Sequence, residues 1–418
     1  MTPAASAPQS VPATPRIASI DALRGFVMFT MIFVNDLAGA PEKIVPDWMS
    51  HFSDRHKHGS GMTFVDMVFP GFLFIVGMSI PFALGPRLAK GEQIWKIFGH
   101  IAVRTLALLA LGILMVNGEG GAPPLWWATM MLSGIFAFCN ISPRSAKPDT
   151  AEFWKIFTLC VRGLGFAGML YSALVLQNRH GRHMLTLSPF HINTDWYGIL
   201  GLIGWAYFAG AILFLIFRAN RTALLACVAL MTSFYAADRK GFFDNFWPAH
   251  FVDFGGTFGS QAAITVAGLL LATILVTPDM TALKSKIRFT LLFILGFTSA
   301  ALLVNGLYGI SKNAATPSWC FWADAVTAAL WLGFYFFCDV KPVKIISNPL
   351  AAAGKNVLLA YLLSEIQESV FDLLHLGDWY DGLSEGSLAG AITRSALCGV
   401  FILLAAVGLN RIGFRLKL

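Results

Sequence analysis

Hydrophobic positions along the chain fall into long continuous runs, not into the alternation of about 10 residues that a membrane β-barrel requires. Twelve apolar runs stand out: 19–38, 64–85, 97–116, 124–141, 154–176, 197–217, 222–237, 260–277, 289–310, 319–338, 356–375 and 387–409. A helix needs about 20 mostly apolar residues to cross a bilayer, and most of these runs reach that length. The pattern predicts an all-α integral membrane protein. Its 10–12, and by the count of runs 12, transmembrane helices would form one bundle around a cavity, over residues 16–418. Residues 1–15, rich in Pro, Ala and Ser and without charge, are expected to be a disordered tail. Arg16 to Ala40 has the outline of a secretory leader. Pro41 after the Ala38-Gly39-Ala40 site and Asn35 inside the run argue for a retained first helix.

Charge supports that count. With both termini cytoplasmic, 19 Lys and Arg fall in inner segments, 8 in outer loops, and Arg104, Arg162 and Arg394 within spans, which accounts for all 30. This is the asymmetry of the positive-inside rule, and removing one helix would scramble it. The net charge of +7 therefore needs no nucleic-acid partner. Composition agrees: 56% of residues are hydrophobic and 13% charged, against roughly 25% charged in soluble domains. The six cysteines lie in or beside apolar runs without metal-ligand spacing and read as packing residues; no metal site is expected. An inner (plasma) membrane location follows, with the lipid bilayer as the first partner.

Histidines are more one-sided than the charges. His51, His56, His58, His180, His183, His191, His250 and His375 fall on the outer side, and His100 alone lies near the inner one. Outer loops also carry Trp48, Trp196, Trp247 and Trp379 among several aspartates. Rings stacking on sugar faces, with carboxylates for hydroxyls, describe a carbohydrate site, while Trp at the interface is ordinary for membrane proteins. Polar groups within the first two spans are costly there and point to function. Asp21 and Arg24 share one helix face at the inner mouth, Asn35 and Asp36 stand near the outer end, and Asp66 opens the second span.

The stretch Ser19-Ile-Asp21-Ala-Leu-Arg24-Gly25, Asn35, and Thr63-Phe-Val-Asp66-Met-Val-Phe69-Pro70-Gly-Phe72-Leu-Phe74-Ile75-Val-Gly77 resembles the heparan-α-glucosaminide N-acetyltransferase family and its bacterial NagX-type relatives. Asn348-Pro349-Leu350 with Gly354-Lys355-Asn356 and Tyr361 resembles a second family motif, and Trp196-Tyr-Gly through Trp205-Ala-Tyr207 a weaker one. The likeness covers about 70 N-terminal residues.

The resemblance implies transfer of acetyl from cytosolic acetyl-CoA to the amine of an amino sugar or glycan across the membrane. An outer-loop histidine would be catalytic, helped by Asn35. Two spacings compete: Trp48-Met-Ser-His51 favours His51, the ten-residue count back from Asp66 gives His56, and His58 comes third. A protonated amine cannot attack a thioester, so a base is required near neutral pH, and imidazole is the side chain suited to it. The imidazole could instead carry the acetyl group itself. Asp66, Asp36, Asn356 and Tyr361 are the expected acceptor-binding residues, and Arg24, Arg87 and Lys355 the expected ligands of the CoA phosphates. Some family members dimerise, which makes a homodimer an expectation here. Two other readings stay open: an N-acetylglucosamine transporter, although no internal repeat supports inverted halves, and an O-acyltransferase of envelope glycans.

Overall fold

The computed structural model describes residues 17–56, 59–118, 123–143, 148–177, 180–194 and 196–418. The expected tail at 1–15 and His58 lie outside these residues. The helices are α1 (Ala18–Ala38), α2 (Phe52–Arg55), α3 (Val68–Ala89), α4 (Ile94–Gly118), α5 (Pro124–Ala137), α6 (Ala151–Val175), α7 (Gly198–Phe217), α8 (Arg221–Asp238), α9 (Ala262–Val276), α10 (Leu283–Tyr308), α11 (Pro317–Tyr335), α12 (Lys344–Ala353), α13 (Val357–Leu373), α14 (Gly377–Glu385) and α15 (Leu388–Arg411). A helix stands at each of the twelve apolar runs.

Among the described residues nine helices are long and apolar enough to cross a membrane by length and composition, and α5 is a shorter apolar one. The chain is thus an all-α, multi-pass membrane protein. Helix α13, at 17 residues, falls outside the nine on length, and it carries Glu365, Glu368 and Asp372, all three of which line a cavity. The run at 124–141 is cut short, since strand β1 (Cys139–Ile141) pairs antiparallel with β4 (Phe414–Leu416). A small hairpin, β2 (Leu185–Leu187) with β3 (Phe190–Ile192), stands between α6 and α7.

Helices inside a bilayer gain nothing from hiding apolar surface from lipid, so close packing between small residues drives their association. Helices α3 and α9 follow this rule: a methyl group on Gly77 would overlap the Thr265 carbonyl, and one on Gly268 the Phe74 carbonyl. Helices α1 and α12 meet in the same way, through Gly25 against Leu350 and Gly354 against Asp21. The start of α1 has no local side-chain cap. Asp339, beyond α11, accepts from the amides of Ala18 and Ser19 at 3.0 and 3.1 Å, which satisfies two orphan donors and suits the helix dipole.

Helices α1 and α13 run in the same direction, side by side. Their first turns line one cavity and their last turns another. Ile17 and Leu418 both line the first, so residues 17 and 418 lie on one face of the bundle. That face is called proximal, and the face holding His51, Asp66 and the end of α1 distal. Instead of the single expected cavity, two are stacked on these helices. Met31 and Tyr361 belong to the proximal one, Ile32 and Ser364 to the distal one.

Candidate active site

The proximal cavity, about 590 Å³, is basic. Arg24, Arg104, Lys355 and Lys417 line it, with Asp21 as its acidic member. Arg24 is held rigidly: it donates to Asp21 Oδ1 and the Gly354 carbonyl, both at 3.1 Å, and to Ser79 Oγ at 2.5 Å. One guanidinium thereby ties α1 to α3 and to the turn before α13. Arg104, inside an apolar span, lies 4.5 Å over the Tyr207 ring, a contact worth about 0.5–2 kcal/mol. Asn356 Oδ1 accepts from the Leu416 amide at 3.3 Å, which holds β4 against the start of α13. Asn356 and Tyr361 therefore sit with the basic residues and not with the acceptor-side groups they were expected to join. Arg87 is absent from this lining; it stands at the end of α3 beside Glu92, 3.6 Å away. The geometry places it with Glu92 and outside the lining of this cavity.

The distal cavity, about 470 Å³, has the opposite character. Asp36, Glu365, Glu368, Asp372 and Asp381 line it against a single guanidinium, Arg394. Asn35 also lines it and makes no described hydrogen bond. Beneath them, Trp127 Nε1 donates to the Glu365 carbonyl at 2.6 Å, joining α5 to α13. Asp36 is saturated. It accepts from Tyr380 OH at 2.6 Å, Ser395 Oγ at 2.6 Å and Arg394 Nε at 3.2 Å, and its carbonyl takes Arg394 Nη2 at 2.7 Å. Burial, then the hydrogen bond to Asp36, push the Tyr380 phenol above its usual range, so it stays the donor. Arg394, with a side chain 2% exposed, completes the network through Ser384 Oγ at 3.0 Å.

On the other flank of the distal face, Asp66 organises the first loop. Its Oδ1 meets His51 Nδ1 at 2.7 Å, and its Oδ2 accepts the amides of Phe52 and Thr63 at 3.0 Å each. Thr63 Oγ1 donates to the Ser50 carbonyl at 2.7 Å, which closes the loop on itself. Trp319 of α11 donates to the Asp66 carbonyl at 3.2 Å. With the carboxylate facing Nδ1, the imidazole carries its proton there and leaves the Nε2 lone pair available. Asp66 is 1% exposed with both oxygens engaged, so it orients the ring and has no free face for a substrate. His56 is exposed, with its ring 4.7 Å from that of Phe52 and no carboxylate partner in the described structure.

The structure thus brings Asn35 and Asp36 together in one cavity and His51 together with Asp66 in the first loop, while neither His51 nor His56 lines either cavity. The proximal cavity ends on α1 at Met31, four residues before Asn35 and thus a helical rise of about 6 Å, and on α3 at Phe72, six residues after Asp66. Sequence reasoning missed Arg394, Arg104 and the Glu365-Glu368-Asp372 face. Each left a signal: a charge inside an apolar span, or acids spaced i, i+3 and i+7 on one helix face.

Residues 16–119 match the family model described as a domain of unknown function, DUF5009. Heparan-alpha-glucosaminide N-acetyltransferase of Homo sapiens is 32% identical over 121 residues, 29% of this chain and 17% of that enzyme. The Mus musculus enzyme is 30% identical over 140 residues, 34% of this chain and 20% of the enzyme. The chain therefore matches a fifth or less of the length of these curated relatives. Over that extent the matches support a family relationship with the acetyltransferase.

Proposed function

We propose that this chain is a transmembrane N-acetyltransferase. Acetyl-CoA binds from the cytoplasm in the proximal cavity, and the amine of a glucosamine-type sugar binds from the far side of the bacterial inner membrane. The observation that carries the reading is the stacking of a basic cavity and an acidic cavity on the same two helices, about one turn apart. Phosphates of a CoA thioester suit Arg24, Arg104, Lys355 and Lys417. An ammonium suits five carboxylates facing one guanidinium.

His51, oriented by Asp66, takes the proton from the acceptor amine through Nε2. The amine attacks the thioester carbonyl, a C–N bond forms, the C–S bond breaks, and the thiolate leaves toward the proximal side. Asn35 donates its amide to the oxygen that becomes negative. Direct transfer fits better than an acetyl-imidazole intermediate, because a ring already bound to its carboxylate partner is set for proton transfer. His51 is the preferred base because Asp66 fixes its tautomer, whereas among the described residues His56 has the Phe52 ring and no carboxylate beside it. The active unit is a monomer or homodimer acting without a metal.

Purified protein mixed with acetyl-CoA and glucosamine is expected to release CoA and form N-acetylglucosamine. Lys355→Glu and Arg104→Glu should each raise KM for acetyl-CoA about tenfold, the equivalent of one lost charged contact of about 1.4 kcal/mol. Protein that releases no CoA yet exchanges labelled N-acetylglucosamine across liposomes would be a transporter. Acetylation of amine-free sugars alone would make it an O-acyltransferase.

A further inference from the structure

The loop between α10 and α11 carries a primary amine to the candidate base. Lys312 Nζ lies 3.2 Å from His51 Nδ1 and 3.3 Å from Nε2, across 261 residues of sequence. The two distances are nearly equal, so the ammonium stands over the Nδ1–Cε1–Nε2 edge of the ring and not on the in-plane lone pair of Nε2. The backbone around it is fixed to the first loop: the Ile310 amide donates to Ser60 Oγ at 2.8 Å, and the Gly61 amide to the Ile310 carbonyl at 2.9 Å. On the other side of Lys312, the Ala314 carbonyl accepts from Tyr235 OH at 3.2 Å and Arg239 Nη2 at 3.1 Å. A flexible lysine on a pinned backbone keeps its amine at high effective concentration beside the imidazole. In-plane approach to Nε2 requires a rotation about the χ angles of Lys312.

We propose that Lys312 is itself an acetyl acceptor, modified by the chain's own His51–Asp66 pair from a bound acetyl thioester. The proposal rests on the transferase reading and names a site beyond it. Nε2 takes one proton from the Lys312 ammonium. The free amine attacks the thioester carbonyl and forms the N–C bond, and collapse of the tetrahedral adduct breaks the C–S bond. The thiolate takes the proton held on Nε2, and the second amine proton leaves to water. The products are Nε-acetyl-Lys312 and the free thiol. The modified side chain is neutral, so a cationic acceptor then reaches His51 without facing a second positive charge.

Full-length protein in detergent is incubated with acetyl-CoA, digested, and every lysine quantified by mass spectrometry. Lys312 should be acetylated at a rate independent of protein concentration, at least about 100-fold faster than the exposed Lys43 and Lys240. His51→Ala and Asp66→Asn should each bring it down to the rate of those two lysines. Modification of Lys312 no faster than Lys43, or unchanged by both substitutions, overturns the proposal. A parallel glucosamine assay separates the two levels. Acetylated sugar with unmodified Lys312 sinks this inference and leaves the transferase standing; no acetyl transfer to either sinks both.

Discussion

Two aspartates on the distal face, Asp36 half-buried and Asp66 buried, invite comparison. Asp36 and Asp66 both sit at the outer end of an apolar helix, and both accept at least three hydrogen bonds. Their partners differ in kind. Asp36 faces Arg394, which never gives up its proton, together with a tyrosine whose phenol is held protonated. Its charge is balanced permanently, and its work is to join α1, α14 and α15. Asp66 faces two backbone amides and an imidazole. Its partner offers a ring nitrogen lone pair that can take up a proton, so the same carboxylate geometry can serve proton transfer. A charge count in the membrane does not separate structure from chemistry; whether the partner can exchange a proton does.

The largest expected effect comes from breaking the second cluster. His51→Ala should lower kcat for acetyl transfer about 10²–10⁴-fold, the usual worth of a positioned general base, with a fall in thermal stability smaller than that of Asp36→Ala because Asp66 keeps the amides of Phe52 and Thr63. Asp66→Asn should lower kcat as well and shift the pH profile of kcat/KM, since the amide no longer fixes the tautomer. Equal kcat values for wild type and His51→Ala would remove His51 from the chemistry and put Asp66 in the same class as Asp36.

The first cluster should fail in the opposite way. Asp36→Ala leaves the buried Arg394 guanidinium with only the more exposed Asp381 carboxylate, 3.4 Å away, at a cost of up to about 3–5 kcal/mol. The expected result is a large fall in melting temperature, or loss of folded protein from the membrane. The double variant Asp36→Ala with Arg394→Leu should recover part of that loss, because an apolar pair of similar volume costs less than an orphaned charge. If Asp36→Ala folds as wild type but loses turnover, the network is catalytic and the contrast drawn above is wrong.

These two clusters also mark how far the sequence could be read. Both aspartates were legible as intramembrane charges, since Asp36 and Asp66 interrupt apolar runs that hydropathy alone delimits. Their partners were not. Arg394 lies 358 residues from Asp36, and Asp339 caps α1 from 321 residues away; pairings at such separations leave no local period or spacing. Spacing left His51 and His56 in competition, because loop geometry decides which ring meets Asp66. Helices α12 and α14 escaped notice for another reason: at 10 and 9 residues they are too short for a membrane-scale window. Arg87 stands beside Glu92 at the end of α3 and outside the cavity lining, a placement that its charge and position in the sequence did not reveal.

The smallest effect concerns a third aspartate that tests whether a guanidinium partner or burial makes the Asp36 cluster structural. Asp279, in the turn between α9 and α10, takes a bidentate guanidinium from Arg221 at 2.6 and 3.1 Å. Its side chain is 58% exposed, unlike that of Asp36 at 12%. The Arg221 hydrogen bonds hold its carboxyl well below the ordinary carboxylate range. A carboxyl lowered by folding contributes stability above its unfolded value, about pH 4, and loses it as pH falls through the lowered one. Asp279→Asn should therefore lower the melting temperature slightly at pH 7 and leave it unchanged at the acid end, so that the two melting curves converge. Exposure and salt screening keep the difference small, and it should shrink further in high salt. A drop at pH 7 as large as that of Asp36→Ala would mean that the guanidinium, and not the burial, sets the cost of losing the pair.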